Sequence, residues 1–113
     1  MSVKKPDEIL LVDDDPDYLD LAKIRLETSG YHVSCVSNGT EALKLLETDY
    51  HPRLIILDIE MPIMDGMTAL PKLLQVDPGV KIIMQSTLTL KGADISMRAM
   101  EMGAADYIPK PTA

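Results

Sequence analysis

Short apolar runs alternate along the chain with longer stretches in which apolar residues recur at helical spacing. The runs predict β-strands, and the longer stretches predict amphipathic α-helices. The predicted strands lie at 8–12, 32–36, 53–57, 80–85 and 105–108, and the predicted helices at 15–30, 38–49, 65–76 and 91–104. Strict alternation of strand and helix is typical of a parallel sheet with helices on both faces, so the pattern predicts an α/β fold.

The predicted helices carry end signals and apolar stripes. In the first helix, Asp15 is the expected N-cap, Pro16 takes the first helical position and Gly30 ends the helix. Each helix has one stripe that should face the sheet. The stripes are Leu19, Ala22 and Leu26; Ala42, Leu43 and Leu46; Leu70, Leu73 and Leu74; and Ile95, Ala99 and Met102.

Length and composition fit one globular domain. The chain has 113 residues, of which 46% are hydrophobic, and no apolar run approaches the length of about 20 residues that a membrane span requires. Cys35 is the only cysteine, so no internal disulfide is possible and a reducing cytoplasm is the expected location. The net charge of −7 argues against direct binding of nucleic acid.

Polar residues with reactive or ligating side chains follow the predicted strands. They are Asp13 and Asp14 after the first strand, Asp58 after the third, Ser86 and Thr87 after the fourth, and Lys110 after the fifth. The carboxyl ends of parallel strands share one edge of a sheet. In a flavodoxin-like strand order, 2-1-3-4-5, the first and third strands flank the point where the order reverses. We therefore expect the three aspartates to converge in a crevice.

Three carboxylates in one crevice repel one another. Two unit charges about 4 Å apart interact by roughly 4 kcal/mol at an effective dielectric constant near 20. Either one carboxyl group stays protonated, or a cation is bound. A hard divalent ion with oxygen ligands suits the site, and its open character favours Mg²⁺.

Lys110 and Ser86 add groups that bind phosphate. An ammonium opposite an acidic metal site is a common phosphate clamp, and the Ser86 hydroxyl can donate to a further phosphate oxygen. Together with the metal, they predict a phosphoryl-transfer site in which Asp58 is the nucleophile.

Four segments, found in order over nearly the whole chain, resemble the receiver domains of two-component response regulators. They are LLVDDD (10–15), LIILDIEMPIMDG (54–66), IIMQST (82–87) and GAADYIPKP (103–111). The stretch 86–111 further resembles the receivers of chemotaxis methylesterase regulators. The resemblance implies one receiver domain over 1–113, with a flavodoxin-like, doubly wound, five-stranded parallel sheet.

The resemblance also implies a role for each residue at the predicted crevice. Asp58 would be the phosphoacceptor. Asp14, Asp58 and the backbone carbonyl of Glu60 would ligate Mg²⁺ directly, and Asp13 would act mainly through water. Ser86 would be the switch hydroxyl, Tyr107 the aromatic residue that changes rotamer with it, and Lys110 the contact to the phosphoryl group, followed by a bond to Pro111 that is usually cis.

The implied function is a phosphorylation-controlled switch rather than an enzyme, with only self-catalysed phosphoryl transfer and dephosphorylation. A sensor histidine kinase, a phosphotransfer protein or a small phosphodonor would supply the phosphoryl group. A downstream effector would bind the face formed by the fourth helix and fifth strand, and neither nucleic acid nor a membrane is an expected partner. Phosphorylation would shift a population of two conformations towards the active one.

Several alternatives stay open at this stage. The chain could be the regulatory part of a protein-glutamate methylesterase whose catalytic domain is absent, or a receiver-fold scaffold that works without phosphorylation. Thr87 could replace Ser86, and Tyr107 could be a plain core residue. A fifth helix, which normally covers one sheet face, is missing after 113. We therefore expect either a fragment of a longer regulator or a short receiver that forms a homodimer.

Overall fold

A computed structural model describes residues 5–86 and 92–110. Each predicted strand and helix has a counterpart in it, with ends that differ by up to three residues. The strands are β1 (Lys5–Val12), β2 (His32–Val36), β3 (Pro52–Asp58), β4 (Lys81–Ser86) and β5 (Asp106–Pro109). The helices are α1 (Pro16–Thr28), α2 (Gly39–Leu46), α3 (Gly66–Val76) and α4 (Gly92–Glu101).

The strands form one parallel sheet in the order β2-β1-β3-β4-β5, which confirms the predicted flavodoxin-like topology. The order reverses between β1 and β3, so the carboxyl ends of these two strands flank a crevice. Asp58 and Ser86 are the last residues of their strands rather than the first residues beyond them. The ladder continues that far because Asp58 pairs with Gln85, and Ser86 pairs with Pro109.

Side-chain caps fix where the first three helices begin. The side chains of Asp15, Asn38 and Asp65 each accept hydrogen bonds from backbone N–H groups in the first turn of the helix that follows. Such caps typically stabilise a helix by about 1 kcal/mol. The Asp15 cap confirms the predicted start of α1, and it places that start directly after the Asp13–Asp14 pair.

The two faces of the sheet carry different helices. α2, α3 and α4 pack on one face, where Leu10, Ile55 and Leu57 of the sheet are fully buried. α1 packs on the other face through its predicted stripe, Leu19, Ala22 and Leu26, against Ile9 and Leu11. Full burial of one such side chain stabilises the fold by about 1.5–3 kcal/mol. The α1 stripe is only partly buried and contributes less for each residue, but apolar packing holds both helix layers.

The face that carries α1 also has an open groove of about 410 Å³, lined in part by Ile9, Leu26, Leu54 and Ile56. The expectation that a further helix or a second copy covers this face stays a prediction, as does the expectation that 1–113 is a fragment. Among the residues that the structure describes, no helix has the length and apolar character needed to cross a membrane.

Candidate functional site

Asp13, Asp14 and Asp58 meet at the reversal point of the sheet. One carboxylate oxygen from each lies within 4.8 Å of the others. Asp13 and Asp58 are buried, with 2% and 4% of their surface exposed, whereas Asp14 is exposed. The three residues come together as their positions at the ends of β1 and β3 predict.

Asp14 and Asp58 border an open cleft of about 430 Å³. The β3–α3 loop forms one wall through Glu60, Met61 and Pro62, and Lys110 closes another side. Asp58 is buried beside this open cleft, so it can reach a small ligand from solvent while most of its surface stays desolvated.

Lys110 lies between the acidic residues. Its backbone N–H donates a hydrogen bond to the Ser86 carbonyl (2.7 Å), which continues the pairing of β5 with β4. Its Nζ is 2.8 Å from Asp13 Oδ2 and 4.0 Å from Asp58 Oδ2. Burial would lower the pKa of Lys110, but the nearby Asp13, Asp58 and Asp15 carboxylates outweigh it. The pKa is therefore raised above its usual value, and Lys110 is charged at neutral pH.

The ionised form of Asp58 is disfavoured by its surroundings in the metal-free protein. Burial, and then the negative charges of Asp13 and Asp14, raise its pKa to about 7, although Lys110 and a hydrogen bond from the Glu60 backbone oppose the shift. Protonation of Asp58 or binding of a cation, the two outcomes expected for crowded carboxylates, would each reduce the repulsion among these charges.

The backbone of the β3–α3 loop is fixed around Asp58. The Ile59 N–H donates to the Gln85 carbonyl (3.0 Å), and the Gly66 N–H donates to the Ile59 carbonyl (2.9 Å). A Cβ on Gly66 would overlap the carbonyl oxygen of Asp58, so only glycine allows this approach. The lack of a side chain at Gly66 therefore lets the start of α3 pack directly against the backbone of Asp58.

Ser86 and Tyr107 are in direct contact. Their hydroxyl oxygens lie 2.6 Å apart, with Ser86 buried at the end of β4 and Tyr107 half-buried in β5. Tyr107 also packs against the core, so its position is compatible with both the switch and the core interpretations. Thr87 and the bond from Lys110 to Pro111 lie outside the described residues.

Tyr18, in the first turn of α1, is a residue of the site that was not predicted from the sequence. The Lys110 ammonium lies over its ring, 4.6 Å from the ring centroid, and the Gln85 side chain forms a hydrogen bond with its hydroxyl. The only sequence signal was an aromatic residue shortly after the Asp13–Asp14 pair, and its spacing relative to Leu19 and Ala22 does not single it out.

The donors of this cluster fit a small, hard cation. Three carboxylates and one ammonium leave two negative charges when all are ionised, which a divalent ion would balance. Carboxylate oxygens with an open side suit an ion that keeps part of its water shell.

A parallel five-stranded α/β domain with this acidic cleft at the reversal point defines a class of signalling module. The family model described as "Response regulator receiver domain" matches residues 9–113, and the chain belongs to this family. The protein is thus a receiver domain, a module of phosphorylation-controlled signalling, as the motifs indicate.

Curated relatives narrow the type of receiver. Over 80 residues, the chain is 71% identical to protein-glutamate methylesterase/protein-glutamine glutaminase 1 of Paramagnetospirillum magneticum, covering 71% of this chain and 21% of the relative. Over 109 residues, it is 53% identical to the corresponding protein of Azospirillum brasilense, covering 95% of this chain and 27% of the relative. The chain thus spans about a quarter of the length of these relatives, and it is similar to the receivers of methylesterase regulators, as predicted.

Solved structures agree with the fold. A CheY-like response regulator receiver domain protein from Methanospirillum hungatei superposes with a TM-score of 0.85 at 34% identity, covering 96% of this chain and 85% of that one. The response regulator TrrA from Thermotoga maritima, in complex with Mg²⁺-BeF, gives a TM-score of 0.79 at 33% identity, covering 93% and 87%.

Proposed function

We propose that Asp58 accepts a phosphoryl group and that this modification switches the domain. One observation carries the proposal: Asp58 ends β3 at the open cleft, with two further carboxylates within 4.8 Å and the Lys110 ammonium 4.0 Å away. An acid in this setting can act as a nucleophile whose product is held by groups already in place.

The transfer uses an oxygen of the ionised Asp58 carboxylate. This oxygen forms a bond to phosphorus, the bond from phosphorus to the donor's oxygen or nitrogen breaks, and the leaving group keeps that electron pair. Because the pKa of Asp58 is about 7 in this state, only part of the population carries the required charge at neutral pH. Lys110 lies close enough to Asp58 to neutralise charge that builds up on the incoming phosphoryl oxygens.

Mg²⁺ is the proposed cofactor. Asp14, Asp58 and the backbone carbonyl of Glu60 would hold it, and Asp13 would act through water. The hard oxygen donors and the negative charge of the cleft support this assignment. When bound, the ion would keep Asp58 ionised and balance the charge of the phosphoryl group.

The switch would run from Ser86 to Tyr107 and on to the surface of α4 and β5. If Ser86 Oγ turned to a phosphoryl group on Asp58, its 2.6 Å contact with the Tyr107 hydroxyl would change, and this change would free the tyrosine to move. Tyr107 borders a shallow surface cleft with Met97 and Met100, which are 65% and 46% exposed. We propose this face as the effector-binding surface.

A sensor histidine kinase, a phosphotransfer protein or a small phosphodonor is the proposed source of the phosphoryl group, and the cytoplasm is the proposed location. The domain itself would catalyse only its own phosphorylation and dephosphorylation. The open cleft beside Asp58 supports a donor of this kind, because both a small molecule and a histidine side chain on a partner surface can enter it.

The test is incubation with acetyl phosphate and Mg²⁺, followed by intact-mass spectrometry. We expect the wild-type chain to gain one phosphoryl group and Asp58→Asn to gain none. Asp20→Asn is a matched control on the exposed surface of α1 and should be phosphorylated like the wild type. Equal labelling of wild type and Asp58→Asn would refute the proposal.

A second proposal concerns the output: the receiver would control a protein-glutamate methylesterase. The similarity to such proteins over 65–96% of the chain favours this effector over others. The experiment adds the phosphorylated and unphosphorylated chain to the separately produced catalytic region of the Paramagnetospirillum magneticum relative. A phosphorylation-dependent change in methylesterase rate supports this output, and identical rates with both forms count against it.

A further inference from the structure

The clearest unassigned feature beside the site is the packing of Tyr18 against Lys110. The Lys110 Nζ lies 4.6 Å from the centroid of the Tyr18 ring, within the distance of about 6 Å at which a cation over an aromatic face is attracted to it. Tyr18 belongs to α1, whereas Lys110 follows β5, so this contact joins α1 to the segment that follows β5.

The Tyr18 ring is itself held in place from a third element. Gln85, which is 4% exposed, forms a hydrogen bond with the Tyr18 hydroxyl. Gln85 lies on β4 and is the direct ladder partner of Asp58, and its carbonyl accepts the hydrogen bond from Ile59 N–H. Gln85 therefore contacts both the backbone next to Asp58 and the Tyr18 ring that packs against Lys110.

We propose that Tyr18 is a positioning residue for phosphoryl transfer, with its aromatic face holding the Lys110 ammonium over the cleft. This inference rests on the proposed function of Asp58. It concerns a residue that would touch neither the phosphoryl group nor the cation and would act through Lys110 alone.

The distances within the site explain why an aromatic face suits this task. Lys110 is 2.8 Å from Asp13 but 4.0 Å from Asp58, so direct contact with a group on Asp58 would shift its ammonium away from Asp13. An ion pair holds the ammonium at one point, whereas attraction to a ring face depends weakly on where the N–H bonds point. Tyr18 therefore keeps the ammonium at the site while its carboxylate partner changes.

Without the Tyr18 ring, the Lys110 side chain would sample more conformations. A Lys side chain loses conformational entropy when it is fixed, and its ammonium is strongly hydrated. The half-buried ring covers one side of the ammonium, whose side chain is only 17% exposed. Removing the ring opens that side to water, and Lys110 would then spend less time facing Asp58.

The central experiment measures the rate of phosphorylation by acetyl phosphate at saturating Mg²⁺ in wild type, Tyr18→Leu and Tyr18→Phe. We expect Tyr18→Leu to lower the maximal rate about three- to tenfold, in line with a cation–π energy of about 0.5–1 kcal/mol or somewhat more. Tyr18→Phe keeps the ring and should stay within about twofold of wild type. Tyr31→Leu makes the same change at an exposed position away from the cleft and should have no effect.

A double-mutant cycle separates positioning through Lys110 from a general structural effect. In a Lys110→Ala background, Tyr18→Leu should cause no further loss of rate, because the group it positions is absent. An equal further loss in that background would overturn the inference.

A second readout does not depend on phosphorylation. In the NMR spectrum of the metal-free chain, the Hε protons of Lys110 should be shifted upfield by the Tyr18 ring in wild type and Tyr18→Phe. They should return towards the random-coil position in Tyr18→Leu. Unchanged Lys110 shifts in Tyr18→Leu would refute the contact, whereas failure of the wild type to be phosphorylated would instead refute the role of Asp58.

Discussion

The hydroxyl oxygens of Ser86 and Tyr107 lie 2.6 Å apart, so the two residues expected to form the switch contact each other directly. Ser86 ends β4 beside the cleft, and Tyr107 extends towards the surface of α4 and β5. The contact gives a physical link between the two regions, since a change at one hydroxyl alters a hydrogen bond of the other.

Removing the Tyr107 hydroxyl should destabilise the unphosphorylated domain. Tyr107→Phe keeps the ring in the core but removes one hydrogen-bond partner of the buried Ser86, and we expect a loss of about 1 kcal/mol in the free energy of unfolding. Urea unfolding measures this loss. Tyr31→Phe is the matched control at an exposed position, and equal stability of the two variants would contradict a contribution from this contact.

The raised pKa of Asp58 predicts a pH-dependent effect on stability in metal-free buffer. Below about pH 4, Asp58 is protonated in both the folded and unfolded states. Between about pH 4 and 7, only the unfolded state ionises fully, so the wild type loses stability as pH rises. Asp58→Asn lacks this loss. Each pKa unit corresponds to about 1.4 kcal/mol, and because the cleft is open to water we expect a smaller total gain of about 1–2 kcal/mol at pH 8.

Urea unfolding of wild type and Asp58→Asn at several pH values, with a chelator present, tests this linkage. The stability advantage of Asp58→Asn should grow from pH 4 to 7 and then level off. An advantage that is constant over this range would show that Asp58 does not titrate with a raised pKa in the folded protein.

Mg²⁺ should stabilise the wild type, and the stabilisation should rise with the logarithm of its concentration once that concentration exceeds the dissociation constant. A ligand that binds only the folded state, at about 100 times its dissociation constant, adds about 2.7 kcal/mol to the free energy of unfolding. Asp14→Asn should reduce this gain, because it removes one carboxylate from the cluster. Asp14 is exposed, so the substitution leaves the packing of the buried core unchanged. Titration of thermal stability with Mg²⁺ measures the effect, and Asp20→Asn, which should keep the full gain, is the control. An undiminished gain in Asp14→Asn would argue against a metal site at this cluster.

The turn at Gly66 should be essential for the geometry of Asp58. Gly66→Ala would place a Cβ against the Asp58 carbonyl oxygen and the Ile59 backbone, neither of which can move without shifting the β3–α3 loop. We expect both lower stability, by about 1–3 kcal/mol, and slower phosphorylation by acetyl phosphate.

Gly30→Ala is the matched control for this prediction. The positive φ at position 30 would strain an alanine, but nothing lies within 4 Å of the added Cβ. This substitution should lower stability without changing the rate at the cleft.

Much of this architecture could be predicted from the sequence because its signals are local. Apolar runs set the strands, Asp15 and Pro16 set the start of α1, and the polar residues at the strand ends gave Asp13, Asp14 and Asp58 once the topology was assumed. Both ends of β2 were predicted correctly, but the ends of β3, β4 and β5 were misplaced by one residue and the start of β1 by three. Pairing with neighbours, rather than local pattern, decides where a strand stops.

The contacts between side chains could not be predicted in the same way. Tyr18 has the spacing of an ordinary helical residue, and its position against Lys110 depends on how α1 packs beside β5. The preference of Lys110 for Asp13 over Asp58 also depends on distances of about an ångström, and no motif encodes these.

The most direct test of the central claim is to locate the phosphoryl group. After treatment with acetyl phosphate and Mg²⁺, borohydride reduction converts an aspartyl phosphate to homoserine, which peptide sequencing by mass spectrometry can assign to one position. We predict homoserine at position 58 and unmodified aspartate at 13 and 14. Homoserine at either of those positions, or unmodified aspartate at all three, would contradict the assignment of Asp58 as the phosphoacceptor.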